Sequence, residues 1–204
     1  MARDITESKA AQDQLRLLET SVAQLSEAVM ITEANFDAEG GPTIVFANPA
    51  KERMSGYTRA ELIGKTPRLF QGPKTDRTLL ARIRAALSRR EATQVELINY
   101  HKAGDEYWVE LNITPVVSAA GAVSHFVSIE TDITARRAAA AALQASRDRL
   151  DYLVASSPAV IYTSRVSGDF GATFISKNVE KQLGYNPDEF LADPGFWRNH
   201  LHPD

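Results

Sequence analysis

The sequence predicts an α+β fold: an antiparallel sheet of about five strands with helices on one face, flanked at both ends by amphipathic helices of coiled-coil character. Three observations carry this. Short apolar or alternating runs pair as hairpins across 28–47 and again across 92–130. Between them lie segments opened by capping residues, with a proline at a first helical position. Outside them, residues 4–27 and 135–153 are largely polar and carry thin apolar seams at helical spacing.

Taken in order, Leu15, Leu18, Val22 and Leu25 recur at three-and-four spacing among charged residues, which predicts an amphipathic helix whose narrow seam suits pairing with a second copy. Ala28–Thr32 and Thr43–Ala47 are apolar, and Asn35–Pro42 supplies an Asp, two glycines and a proline, so the pair reads as a hairpin with a longish loop. Asn48 then caps a helix with Pro49 in its first position, and Gly56-Tyr57 stops it. Thr58 and Glu61 form a capping box that restarts the chain. A loop at 64–78 leads to a helix from about Leu79 to Ser88. Ala92–Tyr100 alternates, Lys102–Asp105 turns, Tyr107–Val117 follows, and a turn at Ser118–Gly121 leads to Val123–Glu130, completing a three-stranded meander. The run Ala135–Leu153 is rich in Ala, Arg, Leu and Gln, strong helix formers, with Leu143, Leu150 and Val154 as its seam. With so few large apolar residues it reads as a connector rather than a core element.

Composition narrows the function. The chain has 204 residues, 44% hydrophobic, net charge −3 and no cysteine. That balance offers no electrostatic footprint for nucleic acid, and no apolar run approaches the length of a membrane span. Without thiols there is no disulfide, thiolate metal site or cysteine photochemistry. A cytoplasmic protein is the simplest fit. No phosphate loop, catalytic triad or kinase signature is present, so this segment is not expected to be an enzyme. His200 and His202 have only Asp193 and Asp204 near them in sequence, too little for a metal site.

Residues 64–72, Gly-Lys-Thr-Pro-Arg-Leu-Phe-Gln-Gly, hold the most chemistry in the least chain. Such a segment can close one side of a pocket, offering Arg68 to an anion and Gln71 to a polar ring edge. Taken alone it reads as a surface loop; the rest of the chain decides.

The chain also repeats itself. Phe46–Glu61 and Phe174–Glu189 align without a gap at an offset of 128, pairing Gly56 with Gly184 and Tyr57 with Tyr185. Upstream, Ala28–Thr32 matches Ala159–Thr163 at an offset of 131. This predicts an N-terminal helix (1–25), a complete unit (26–134), a connector (135–156) and the start of a second unit (157–204). Because two strands cannot bury a sheet face alone, 159–204 is expected to be poorly ordered or to pack on something else, and the sequence to be a fragment of a longer protein.

The pattern Asn48-Pro49-Ala50…Gly56-Tyr57…Glu61-Leu62-Ile63-Gly64, with a meander ending Thr131-Asp132-Ile133-Thr134, resembles the PAS sensory family over about residues 26–134. The partial copy, with Trp197 and His202-Pro203-Asp204, looks like the start of another PAS domain. Within PAS the first copy is closest to the LOV branch of flavin-binding photosensors, whose Gly-x-Asn-Cys-Arg-Phe-Leu-Gln-Gly motif its loop resembles. The resemblance implies a flavin cofactor, FMN favoured over FAD. It places Arg68 and Gln71 at flavin-contacting positions, Arg84 at a second phosphate-binding arginine, Asn99 at an asparagine on the ring's pyrimidine edge, and Thr32 on the same pocket.

The departures from that branch are as informative. The adduct-forming cysteine is Pro67, the asparagine beside it Thr66, the second ring-binding asparagine Val109, and the switching glutamine Glu130. Adduct photochemistry is therefore ruled out by composition. Burial beside Phe126 and Ile129 is expected to raise the pKa of Glu130; protonated, it could donate to the ring as the family's glutamine does, and ionised, it would disfavour an anionic reduced flavin and pull the redox potential down. Three functions compete: a flavin-binding sensor of light or redox state, signalling through residues 135–154; a ligand-free dimerisation module; and a sensor of another small metabolite. The alternative role for Arg68 and Arg84 is surface salt bridging. The resemblance further implies a homodimer through the flanking helices and an output domain in the same chain, commonly a histidine kinase or a cyclic-dinucleotide enzyme.

Overall fold

A computed structural model gives the structure of the protein and describes residues 20–35 and 41–200, together with Lys9, Gln14, Arg16 and Leu17. It divides into two compact units, residues 1–137 and 138–204. Leu15 and Leu18 of the expected N-terminal seam, and His202 to Asp204, lie outside the described residues. No helix among the described residues is long and apolar enough to cross a membrane.

The first unit runs β1 (Ala28–Glu33), β2 (Ile44–Ala47), α1 (Pro49–Ser55), α2 (Arg59–Leu62), a 3-10 turn (Pro67–Phe70), α3 (Arg77–Ser88), β3 (Thr93–Tyr100), β4 (Glu106–Val117) and β5 (Val123–Asp132). The strands form one antiparallel sheet in the order β2-β1-β5-β4-β3. The first hairpin therefore sits beside the last strand, and the helices fill the crossover from β2 to β3. Alternation decides which side chains meet them. On β5, Phe126, Ser128 and Glu130 are buried, while Ile129 between them is exposed. Glu130 stands level with Ala28 on one side and Leu111 on the other.

Two apolar clusters form between sheet and helices. Ile83 and Leu87 of α3 pack with Leu97, Tyr107, Val109 and Phe126. Leu62 of α2 and Phe70 pack with Met30, Ile44 and Ala47. The core is thus split in two, and the division is what leaves room for a site.

The local signals in the sequence act as read. Asn48 caps α1 with Pro49 in its first turn, and Gly56 ends it at φ 77°, a left-handed conformation that suits glycine. The Thr58 backbone N–H donates to Glu61 Oε2 (3.0 Å). The expected helix at 79–88 begins two residues earlier, because Asp76 Oδ1 accepts from the Thr78 and Leu79 amides.

Asn48 also does more than cap. Its Oδ1 accepts from the Val29 (2.9 Å) and Lys51 (3.0 Å) amides, and its Nδ2 donates to the carbonyls of Val22 (3.2 Å) and Glu27 (2.9 Å). One buried carboxamide thereby ties β1, α1 and the preceding segment together.

The helix α4 (Thr134–Ser156) starts in the first unit and has no buried residue. Its first turn is anchored: Thr134 N–H donates to Asp132 Oδ1 (2.8 Å), and the Trp108 amide donates to Thr134 Oγ1 (2.9 Å). Arg136 and Arg137 both pair with Glu96, and the Arg137 guanidinium lies 3.8 Å from the Trp108 ring centroid.

The second unit contains β6 (Tyr162–Ser164), β7 (Ala172–Ile175), α5 (Asn178–Leu183), α6 (Pro187–Ala192) and α7 (Phe196–His200). It has its own small core of Ile175, Val179, Phe190 and Phe196. Its hairpin repeats the register of the first: Thr163 faces Phe174 as Ile31 faces Phe46, with an irregularity at the next residue in each. The equivalence of the upstream strands is therefore an offset of 132, one more than sequence alignment gives, and the second hairpin loop is shorter by four. The duty of Asn48 is divided here. Ser176 Oγ accepts from the Ile161 amide (2.8 Å), and Asn178 Nδ2 donates to the Ser157 (2.7 Å) and Ala159 (2.9 Å) carbonyls. β6 is exposed along its length.

Replacing Asn48 with Ala strands several buried backbone groups at once and should lower unfolding free energy by about 2–4 kcal/mol, read as a fall in the urea midpoint at unchanged slope.

Candidate functional site

The segment after Gly64 is held at both ends. Gly64 takes φ 79°, its amide donates to the Ile44 carbonyl (2.9 Å), and the Ile44 amide donates to that of Lys65 (2.8 Å). Thr66 is extended, as a residue before proline tends to be, and Pro67 opens the 3-10 turn. At the far end Gly72 lies so close to the Tyr100 ring that a Cβ there would sit 2.3 Å from it. The Lys74 amide donates to Tyr100 Oη (3.1 Å), and Thr75 Oγ1 donates to the Ile98 carbonyl (2.7 Å). The loop therefore spans from β2 on one side of the sheet to β3 on the other.

Beneath that span lies a cavity of about 460 Å³, between the two apolar clusters. Its walls are apolar, from Met30, Phe70, Leu97 and Phe126 among others. Arg68, Arg77 and Arg84 line it with exposed side chains, whereas Thr32, Asn99, Ser128 and Glu130 line it from buried positions on the sheet. Gln71 lines it too, its Oε1 accepting from Arg77 at 3.4 Å. Neither Arg68 nor Arg84 makes an ion pair among the described residues. They are available to an anion, and the salt-bridging alternative finds no partner there.

At the inner wall sits a buried ion pair. Lys51 Nζ is 2.6 Å from Glu130 Oε2, with the two side chains 0% and 1% exposed. Ser128 Oγ donates to the other carboxylate oxygen, Oε1 (3.0 Å), and the Lys51 ammonium stands 3.7 Å from the Phe70 ring centroid. The pair thus couples α1, the bridging loop and β5. Tyr107 is buried nearby, stacked on His101, with a hydroxyl that has no hydrogen-bond partner in reach among the described residues. Burial pushes this phenol well above its ordinary pKa, the charge of Glu130 adds to the shift, and Asn99, its cross-strand neighbour, opposes it. A cavity of this size, with apolar walls, polar groups on the sheet and guanidinium groups along its edge, suits a planar heteroaromatic ring carrying an anionic tail.

A family model described as a PAS domain matches residues 26–135, more than half of the chain. The chain belongs to the PAS family. The chain is also 32% identical, over 157 residues, to a blue-light-activated histidine kinase of Brucella ovis, the match covering 72% of this chain and 32% of that protein. The chain thus spans about a third of the length of its curated relatives. Two solved structures share its fold. One, described as "Flavin Analogue Sheds Light on Light-Oxygen-Voltage Domain Mechanism", superposes with a TM-score of 0.52 at 26% identity, covering 67% of this chain and 96% of the other. The LOV domain from Erythrobacter litoralis EL346 blue-light activated histidine kinase gives 0.50 at 28%, covering 54% and 99%. Within PAS, the likeness is to the LOV branch.

Of the residues singled out in the sequence, the PAS cavity gathers Thr32, Pro67, Arg68, Gln71, Arg84, Asn99 and Glu130. Two are corrected. Thr66 lies before the 3-10 turn, outside the lining, because the following proline holds it extended. Val109 shares the inner side of β4 with Leu111 and Ile113, which do line the cavity, but packs instead into the apolar cluster opposite Leu97.

The expected surroundings of Glu130 are corrected as well. Ile129 faces outward, so it does not bury the acid, and an ammonium at hydrogen-bond distance makes Glu130 half of an ion pair rather than a neutral donor. Sequence reasoning missed Lys51, Ser128 and Arg77. A signal existed for the first: one turn beyond the Asn48 cap, Lys51 falls on the side of α1 that carries Ala50 and Ser55 inward. A cation on a buried helix face and an acid at an inward strand position are a pair waiting to be matched.

Replacing Lys51 alone with Met leaves a buried carboxylate without its cation and should cost about 3–5 kcal/mol, whereas Lys51→Met with Glu130→Gln should recover most of that loss. Chemical denaturation of the wild type and both variants gives the comparison directly.

Proposed function

We propose that residues 26–134 bind a flavin, FMN in preference to FAD, and sense light or redox state without a cysteine adduct. The observation that carries this reading is the combination in one cavity of unpaired Arg68 and Arg84 at the edge, apolar walls, and Asn99, Gln71 and Glu130 as hydrogen-bonding groups. Arg68 and Arg84 would hold the phosphate with charge-assisted hydrogen bonds, the strong kind. Asn99 and Gln71 would meet polar ring edges, and Phe70 and Phe126 would exclude water. A bound flavin supplies blue-light absorption and reversible reduction. The relatives named as blue-light-activated kinases, and the LOV domains of the same fold, support the assignment.

Signal output runs through β5 in this reading. Glu130 lies two residues before Asp132, whose carboxylate caps the first turn of α4, and Ile133, between Asp132 and the helix, is buried. A changed hydrogen bond at Glu130 would shift the strand end and with it the anchoring of Arg136 and Arg137 on Glu96 and Trp108. Leu143 and Leu150 on α4 are exposed, and we assign them to a dimer seam that passes the change to an output domain beyond the second PAS-like unit. The kinase relatives favour a histidine kinase as that output.

Two measurements test this. Protein purified in the dark should be yellow and release a flavin on denaturation, and Arg68→Ala with Arg84→Ala should weaken flavin binding by about tenfold to a hundredfold. Colourless protein that takes up no flavin from excess contradicts the reading and leaves a ligand-free module or a sensor of another metabolite. Because the chain has no cysteine, Leu143→Cys provides a single cross-linking site: its disulfide yield should differ between dark and illuminated, or oxidised and reduced, protein, and Glu130→Ala should abolish the difference.

A further inference from the structure

Glu130, which lines the cavity, and Lys51, buried behind it, form a pair that the family resemblance does not account for, and its polarity is fixed. A carboxamide at position 130 could turn either its NH2 or its oxygen toward a ligand. A carboxylate has only lone pairs to offer. In Glu130 one oxygen accepts from Lys51 Nζ and the other from Ser128 Oγ, which still leaves acceptor capacity facing the cavity. Lys51 is itself fully buried, with its ammonium against the Phe70 ring and no route to water. It therefore sets a cation against the carboxylate at hydrogen-bond distance, inside the wall.

We infer that Lys51 is a positioning residue that makes this wall an obligate acceptor, so that the site favours a ring edge bearing N–H over one bearing a bare lone pair. The inference rests on the flavin reading. Oxidised flavin presents an unprotonated nitrogen at its central ring. Two electrons from an outside reductant, with two protons from solvent, would make that nitrogen an N–H donor and leave the reduced ring neutral. The ion pair supplies neither electron nor proton; Lys51 keeps its hydrogens and Glu130 stays a carboxylate, accepting from the new N–H. The site is thereby complementary to the reduced cofactor and set against the oxidised one. Redox state, rather than light alone, becomes the signal to which the inner wall is matched, and the change in hydrogen bonding falls on the strand that anchors α4.

The test is a spectroelectrochemical titration of the flavin-loaded protein against wild type, with Lys51→Met/Glu130→Gln and Glu130→Gln as variants. The double variant carries a neutral wall and no orphaned charge, and Glu130→Gln alone still gives Lys51 an acceptor, so a folded comparison survives if either fails. At a fixed potential the ratio of reduced to oxidised flavin should fall by about tenfold or more in the variants, the factor that one charge-assisted hydrogen bond carries. A merely structural role for Lys51 would change stability and leave that ratio alone. A ratio that stays put or rises, in protein that does carry flavin, overturns the role of Lys51 and leaves the flavin reading standing. A wild type that takes up no flavin overturns both.

Discussion

A lysine ammonium and a glutamate carboxylate, both removed from water and 2.6 Å apart, are the constraint on which the site depends. Desolvating two charges costs several kcal/mol each before their attraction and remaining hydrogen bonds offset it. A hydrophobic pair would fill the same space at less risk, so the position is expensive to hold for stability alone. What the pair does achieve is geometric. It joins α1 to β5 and is covered by Phe70 of the bridging loop, so helix, strand and loop cannot move independently around the cavity.

The cavity itself survives because the core is divided. One cluster gathers on α3 and the inner faces of β3 to β5, the other on β1, β2 and the turns around Leu62 and Phe70. Close packing would ordinarily fill the gap. Here the loop from Gly64 to Thr75 holds the roof at a fixed span by bonding to β2 at one end and β3 at the other. The close fit of Gly72 on Tyr100 means that any larger residue there displaces the roof. Function in this domain follows from a structure that refuses to collapse.

Much of the fold was legible because its signals are local. The cap at Asn48, the stop at Gly56 and the box at Thr58–Glu61 are chemistry between neighbours, and each acts where the sequence places it. The burial of Glu130 was expected too, though it shares its side of β5 with Phe126 and Ser128 and not with Ile129. Arg68, Gln71, Arg84 and Asn99 were found through resemblance and do converge on one cavity. What could not be read was pairing across long stretches of chain. The partner of Glu130 is 79 residues away, and only the sheet order that sets β5 beside β1 brings α1 over it. Val109 illustrates the converse: it shares the inward side of β4 with cavity-lining residues, and still the packing against Leu97 withdraws it from the space a ligand would occupy. The offset of the second hairpin was off by one for a related reason, since register is set by backbone bonding, as from the Ser176 amide to the Ile161 carbonyl, rather than by matching residue types.

A structure determined after soaking with excess FMN tests the central claim most directly. The account predicts the phosphate held by the Arg68 and Arg84 guanidinium groups, the ring between Phe70 and the sheet, and Glu130 still bonded to Lys51 within hydrogen-bond reach of the ring edge. A cavity that stays free of flavin under those conditions, or a flavin bound elsewhere on the chain, would contradict it.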